Sequence, residues 1–591
     1  GSTQAYEQYF KDYPNFLGFN FAEQFWGFGE EGRVDFPTRL QLFADLLAVC
    51  HEYGGYLAVS FCDSYYSSSK MPIAWLKRNE QMRRQLTADP EHFLCFEKYT
   101  LKKNFLDIES NCLGQWLGGF AGQYGIRFDS SGWMGKDNEA DDTRGASDFV
   151  RAAGAIPIAE HMMLTGQTIV DGPELTWTEC STEGSTTTVD GYTRRNWEWF
   201  PQFTNISLDL FRKVLDGTIR IMSRQEVIDR TKVCIVNDIN RNLTNENEHN
   251  SYVTPEKLFD GLYRSDQDQG GSTNHWLDNR WWLKTTGRYP TIPQVYAAPE
   301  GMKAFNKSTF SKTAFDAWMN DNFVSEYTGD IYAGRQENGW VTYNPYQYDE
   351  STEGGQRICS LATKRAEGTI PLQYNTCESL SLDYAPYSLG IIKEYKDFLT
   401  LYLTNYQTTG TFSEDIIKVT GATSQPTVSW KDRGDHTASQ VTSSWADGVL
   451  TISVKHNGPL DLSVECAGSA TDRKTPSTFN PPPSTFNPQP STFNLQPSTF
   501  NPPPSTFTPP PYEGILQYEA ELADYKSATI RKTGYGQGRD GYQGQGFAEL
   551  TNSGSTLRFA VYPQRRIMNG LYTIKLAFLF IICADYLVFM K

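Results

Sequence analysis

Three carboxylates stand where apolar runs end. Glu23 closes the run Leu17-Gly18-Phe19-Asn20-Phe21-Ala22, and Asp129 closes Gly125-Ile126-Arg127-Phe128. Glu174 follows Thr168-Ile169-Val170-Asp171-Gly172-Pro173. Each has a tryptophan close behind it: Trp26, Trp133 and Trp177. Cleavage of a glycosidic bond needs two carboxyl functions, one to protonate the leaving oxygen and one to attack the sugar or activate water. Parallel barrels deliver such groups from the C-terminal ends of their strands. Any one of the acids alone reads more readily as a helix cap or a turn residue. The three together, each beside an indole, point to a sugar-cleaving cleft.

Other side chains fit that cleft less specifically. The indoles could stack on sugar rings or simply pack in a core. Arg127, and Arg194 or Arg195, could hydrogen-bond substrate hydroxyls. Asp238 ends the run Lys232-Val233-Cys234-Ile235-Val236-Asn237 and is a further candidate substrate ligand, with a turn or cap as its plainer reading. His161, before an apolar run, reads as a core histidine. Asn205-Ile206-Ser207 and Asn242-Leu243-Thr244 are glycosylation acceptors only in a glycosylating host. No phosphate loop, nucleotide fingerprint or nucleophilic-serine signature is evident.

The elements that must position these residues alternate between strand and helix. Strand candidates are Leu17–Ala22, Gly55–Phe61, Gly125–Phe128, Thr168–Val170, Lys232–Val236 and Tyr289–Tyr296. Between them lie helical patterns at Pro37–Tyr53, Asn104–Tyr124 and Ser207–Asp216. That alternation implies βαβ units and a parallel sheet, whose natural closure at this size is a (β/α)8 TIM barrel. Only five or six strands are visible, and the Glu23 strand begins close to residue 1, so the barrel reads as N-terminally truncated. Residues 300–325 look helical and connective. Beyond them short β-rich runs predict a β-sandwich, with a helical segment near Leu389–Tyr402 and a hairpin around Lys455-His456-Asn457-Gly458. Ser-Thr-Phe recurs every seven residues from 477 to 505 among prolines, which makes an extended linker and not a coiled coil. A glycine- and tyrosine-rich unit follows, resembling the start of another small β-sandwich. The expected division is therefore 1–322 barrel, 323–468 β-sandwich, 469–513 linker, and 514–591 partial carbohydrate-binding module with an aberrant tail.

Composition narrows the function classes. The chain has 591 residues, net charge −16 and a pI near 5.1, which argues against a nucleic-acid partner. Its ten cysteines form no CxxC pairs or Cys/His clusters, so neither a metal site nor a disulfide framework is indicated. The apolar tail Leu576–Met590 is too short to span a membrane and contains Asp585. No cofactor is expected.

The segment Tyr13-Pro14-Asn15-Phe16-Leu17-Gly18-Phe19-Asn20-Phe21-Ala22-Glu23-Gln24-Phe25-Trp26 resembles glycoside hydrolase family 98. So do Gly125-Ile126-Arg127-Phe128-Asp129, Asp171-Gly172-Pro173-Glu174-Leu175 and Thr231-Lys232-Val233. Tyr343-Asn344-Pro345-Tyr346 and Tyr374-Asn375-Thr376-Cys377-Glu378 resemble that family's C-terminal β-domain. The resemblance implies an inverting endo-β-1,4-glycosidase, either a galactosidase releasing blood-group oligosaccharides or a xylanase. It matches Glu23 to the general acid and Asp129 with Glu174 to the base function. It also implies a secreted, cell-surface or periplasmic protein. Gln517–Phe578 is similar to carbohydrate-binding modules of families 6 and 35, a lean toward xylan. The competing readings are a carbohydrate-binding protein without turnover, if the truncated barrel misplaces its acids, and a non-functional fragment.

Overall fold

The computed structural model describes residues 3–24, 36–61, 72–98, 105–127, 155–171, 181–189, 191–199, 203–238 and 292–476, less 347, 354–355, 406–410 and 435. It also describes the short segments 524–526, 528–531, 547–550, 556–558 and 586–590. The linker repeats lie outside these residues.

The first half is a mixed α/β unit. Helix α1 (Thr3–Asp12) leads into β1 (Phe16–Gln24), then α2 (Phe36–Tyr53), β2 (Tyr56–Phe61), α3 (Pro72–Arg78), α4 (Glu80–Ala88) and β3 (Phe93–Lys98). Helix α5 (Phe105–Leu117), β4 (Gln123–Arg127), α6 (Ala155–Leu164) and β5 (Ile169–Asp171) follow. The five strands pair in chain order and in parallel, as βαβ units require. β3 has no counterpart among the sequence-derived strands. Its neighbours Asp89-Pro90 and Glu97-Lys98 leave only a four-residue apolar run, Phe93–Phe96, which periodicity alone does not separate from a helix.

Aromatic rings cement the sheet to its helices. Phe21 meets Phe43 edge-on at 5.0 Å, Phe43 stacks on Trp75 at 5.0 Å, and Phe61 meets Trp75 edge-on at 5.1 Å. On the other face of β1 and β2, Asn20, Ala58 and Ser60 are buried too. Gly18 carries a φ of +140°, and a Cβ there would stand 1.9 Å from the Tyr56 carbonyl oxygen, so this close approach of β1 to β2 requires glycine. The outer edge of β1 is covered by the antiparallel strand Tyr586–Met590 from the C-terminal tail. That edge is thus paired within the chain.

Among the described residues the parallel sheet has five strands, and an eight-stranded closure is not formed. After the hairpin β6 (Ser181–Val189) and β7 (Tyr192–Trp199), strand β8 (Val233–Val236) does not continue that sheet. It pairs in parallel with β9 (Gln294–Val295) and β10 (Lys303–Asn306) in a separate three-stranded sheet. The stretch expected to be helical and connective thus contains a strand, and its helix is confined to Lys312–Asn322. The three-stranded sheet packs on α5, where a Cβ at Gly114 would stand 1.7 Å from the Gln294 carbonyl oxygen.

The second half is a β-sandwich of two six-stranded sheets. One runs Thr328–Gly329, Ala366–Pro371, Ser379–Tyr384, Ser413–Thr420, Val449–His456, Gln440–Ala446. The other runs Tyr332–Gln336, Gly339–Tyr343, Leu389–Tyr395, Phe398–Thr404, Leu460–Glu465, Thr427–Asp432. Two sequence expectations fail here. The segment expected to be helical is a hairpin, Leu389–Tyr395 with Phe398–Thr404. Its Glu394 is buried and receives hydrogen bonds from Trp340 Nε1 at 2.9 Å, Arg335 at 3.1 Å, and the Gln373 and Tyr374 amides at 2.6 and 2.8 Å. The expected hairpin at 455–458 is a crossing between sheets. Leu450, Ile452 and Val454 lie in one sheet and Leu460, Leu462 and Val464 in the other, all in the same core. Both strands bury one face in that core, so the chain steps across it instead of pairing with itself.

A charged network joins the two halves. Arg433 donates to both Asp209 oxygens at 2.8 and 2.9 Å and to Asp461 at 3.0 Å, while Lys213 donates to Asp461 at 2.7 Å. Gln336 Nε2 donates to the Met163 and Arg220 carbonyls at 3.0 and 2.7 Å, and Lys393 to the Gly217 carbonyl at 2.6 Å.

Candidate active site

The C-terminal ends of the five parallel strands form one rim. By register, Gln24 is opposite Phe61, Phe61 opposite Glu97, and Glu97 opposite Ile126. One step further, Lys98 is opposite Arg127 and Arg127 opposite Asp171. Strand pairing therefore carries Glu23 and Arg127 to the same end of one sheet, the first at the end of β1 and the second as the last residue of β4. Asp129 lies just beyond Arg127 in sequence, and Glu174 just beyond Asp171. Asp129, Glu174, Trp26, Trp133 and Trp177 themselves lie outside the described residues. Glu97, Lys98 and Asp171 reach the same rim, and the first two went unnoticed because their strand did.

A bulge marks the end of β1. Phe21 pairs with Val59 but Gln24 with Phe61, so β1 carries one extra residue over this step. Such insertions re-aim side chains and gather next to active sites. Here the alternation of faces changes phase beside Glu23.

Asp238 follows β8 and so belongs to the other sheet; strand pairing does not bring it to the rim. Its carboxylate accepts hydrogen bonds from the Ser308 hydroxyl and, at 2.9 Å, from the Ser308 amide. Partial burial raises its pKa, but the Ser308 bonds and the charge of Lys77 outweigh this and hold it below the usual carboxylate value. Nearby, Lys77 Nζ donates to Asn237 at 3.1 Å, and Asn237 and Lys307 both donate to Gln294 Oε1, at 2.9 and 3.2 Å. Burial, reinforced by the charge of Lys307, pushes Lys77 down to about 8. This polar cluster ties the ends of β8, β9 and β10 together. His161 lies on α6 and Arg194 and Arg195 on β7.

One constellation in the sandwich has the residue types of a hydrolytic triad without its order. Ser388 Oγ donates to Asp415 at 2.7 Å, and His456 Nε2 lies 2.8 Å from Asp415. The carboxylate stands between serine and histidine, so the imidazole is not placed to take the hydroxyl proton. All three are fully buried. Among the described residues no group of His, Cys, Asp and Glu is placed to hold a metal ion.

Residues 1–221 match the profile of glycosyl hydrolase family 98, and residues 224–467 match the glycosyl hydrolase family 98 C-terminal domain. The chain belongs to glycoside hydrolase family 98. The fold agrees. The catalytic module of a family 98 glycoside hydrolase from Streptococcus pneumoniae TIGR4, in complex with the LewisY pentasaccharide blood group antigen, superposes with a TM-score of 0.56 at 18% identity, over 78% of this chain and 82% of that one. The same module in its native form gives a TM-score of 0.57 at the same identity and coverage. Its complex with the H-disaccharide blood group antigen gives 0.56, again at 18% identity and the same coverage. At this identity the likeness concerns the fold. No curated protein matches the chain. Membership of family 98 makes this chain a glycoside hydrolase by descent. No helix among the described residues is long and apolar enough to cross a membrane.

Proposed function

We propose that this family 98 chain is an endo-acting, inverting β-1,4-glycosidase whose site is the rim at the ends of β1, β4 and β5. The observation that carries this reading is the register that brings the Glu23 strand end and the Arg127 strand end onto one sheet, with Asp129 and Glu174 immediately downstream. Glu23 protonates the leaving-group oxygen. Glu174, assisted by Asp129, takes a proton from the attacking water. Inversion requires room for that water, so the acid and base carboxyls stand about 6.5–9.5 Å apart. Glu23 then needs a raised pKa to stay protonated at its working pH. Trp26, Trp133 and Trp177 supply stacking faces, and Arg127 a hydrogen-bonding cation. The barrel architecture and the secreted or cell-surface location belong to the same reading.

The proposed substrate is a blood-group-type β-galactoside. The Streptococcus pneumoniae family 98 module with this fold is solved in complex with blood-group glycans; the lean toward xylan rested only on the partial module at 514–591. The test is product analysis on a blood-group glycan and a decorated xylan side by side, with Glu23→Ala and Glu174→Gln as controls. Oligosaccharide release from the glycan, lost in both variants and with the opposite anomer formed first by NMR, supports the full reading. Release from xylan alone moves the substrate. Glycan binding without release from either, with folded protein, replaces the enzyme by a binding protein.

A further inference from the structure

The sandwich holds two cysteines that nothing in the proposed chemistry uses. Cys377 follows the loop Tyr374-Asn375-Thr376, and Cys466 follows the strand Leu460–Glu465. Both are buried in the sandwich core, at 0% and 3% exposure. Their segments are clamped side by side by backbone hydrogen bonds. The Thr376 amide donates to the Lys396 carbonyl and the Cys466 amide to the Asp397 carbonyl, each at 2.9 Å, so one turn anchors both. The Gly468 amide donates to Thr376 Oγ1 at 2.8 Å, and the Ala470 amide to the Thr376 carbonyl at 3.2 Å. The Asn375 side-chain oxygen accepts from the Cys377 amide at 2.8 Å and from the Cys466 thiol at 3.8 Å. The Cys377 amide and the Cys466 thiol thus share one acceptor, which holds the two side chains next to each other.

We propose that Cys377 and Cys466 are a disulfide site, joined when the chain folds in the presence of a small-molecule or protein disulfide oxidant. The exchange balances without any other group. The thiolate of one cysteine attacks the oxidant's disulfide and releases one reduced thiol. The second cysteine, as thiolate, attacks the resulting mixed disulfide and releases the other. Two protons and two electrons leave the protein, and the oxidant ends as two thiols. The bond closes a loop of about 90 residues across the sandwich, long enough for substantial stabilisation. It ties the loop before Ser379–Tyr384 to the end of Leu460–Glu465, two strands of different sheets.

The test is a peptide map of the full chain refolded with a mixture of oxidised and reduced glutathione, then alkylated in denaturant without reductant. The expected result is one linked peptide pair carrying Cys377 and Cys466, with Cys50, Cys95, Cys112 and Cys234 alkylated. Dithiothreitol then lowers Tm by several degrees in the parent, whereas Cys466→Ser and Cys377→Ser variants show no such dithiothreitol-sensitive step. Full alkylation of both cysteines after oxidative refolding overturns the proposal, whatever the variants do, as does pairing of either one with another cysteine.

Discussion

Strand β2 in the first half and strand Val449–His456 in the second bury their side chains in opposite ways. From Leu57 to Phe61 every residue of β2 is buried, one row against the helices and the other against the inside of the sheet. Val449–His456 alternates buried and partly exposed residues along most of its length, with Leu450, Ile452 and Val454 in the core. A parallel sheet is covered on both faces, and its free region is the rim where strands end. A sandwich solvates one face of each sheet and spends its inner faces on packing. The comparison separates roles. The parallel sheet presents strand ends, where Glu23 and Arg127 lie, and the sandwich supplies a rigid body clamped to it through Arg433, Asp209, Asp461 and Lys213.

If that separation holds, the largest effect comes at the rim. Glu23→Ala is expected to lower kcat on the cleaved glycan by roughly 10³-fold or more, as loss of a general acid does. Its circular dichroism spectrum and Tm should stay with the parent; a stable variant with near-parent turnover would break the assignment. Next, Leu462→Ala in the sandwich core should cost about 2–5 kcal/mol in stability, read by urea unfolding. Turnover per folded molecule should not change, and a matching loss of kcat would show that the sandwich shapes the site.

The junction sharpens the comparison. Arg433→Ala leaves Asp209, 3% exposed, without its bidentate partner and should destabilise by about 3 kcal/mol. Arg433→Lys restores charge but not the fork, and should recover only part of that. Equal behaviour of the two variants would reduce the network to packing.

The smallest effect is at Asp238. Ser308→Ala removes the hydroxyl donor, so the Asp238 carboxyl should titrate closer to its ordinary value in an NMR pH series. The folded pKa is depressed, so its stabilising contribution is present above the unfolded carboxylate value and fades as pH falls through the folded one. The variant should therefore be less stable than the parent at neutral pH, and the gap should close as pH falls below about 4. An unchanged Asp238 titration would assign the depression to the Ser308 amide and Lys77 instead.

Local pattern made much of this legible in advance. The runs ending at Ala22, Phe61, Phe128 and Val170 are strands in the structure or overlap them, because apolar runs bounded by turn residues leave the backbone few alternatives. Phe36–Tyr53 and Leu208–Leu215 are helices where helical spacing placed them, while the helix expected over Asn104–Tyr124 stops at Leu117 and β4 takes up its last residues. What misled was chemistry that local pattern does not encode. The segment near Leu389–Tyr402 looked helical and is a strand hairpin, with Glu394 a buried hydrogen-bond hub. Residues 455–458 looked like a hairpin and join two sheets.

The sequence by itself determined that strands run near residues 17–22, 55–61, 125–127 and 169–170, since turn residues and apolar periodicity act over a few neighbours, but β3 with Glu97 and Lys98 escaped it. It also carried family 98 membership in its motifs. Only the tertiary structure decided partners. It put β8 and Asp238 in a separate sheet, placed the extra residue beside Glu23, covered the β1 edge with Tyr586–Met590, and brought Cys377 against Cys466. Each of these depends on contacts between residues far apart in the chain, whose pairing is selected by the packing of the whole fold and is written in no single stretch.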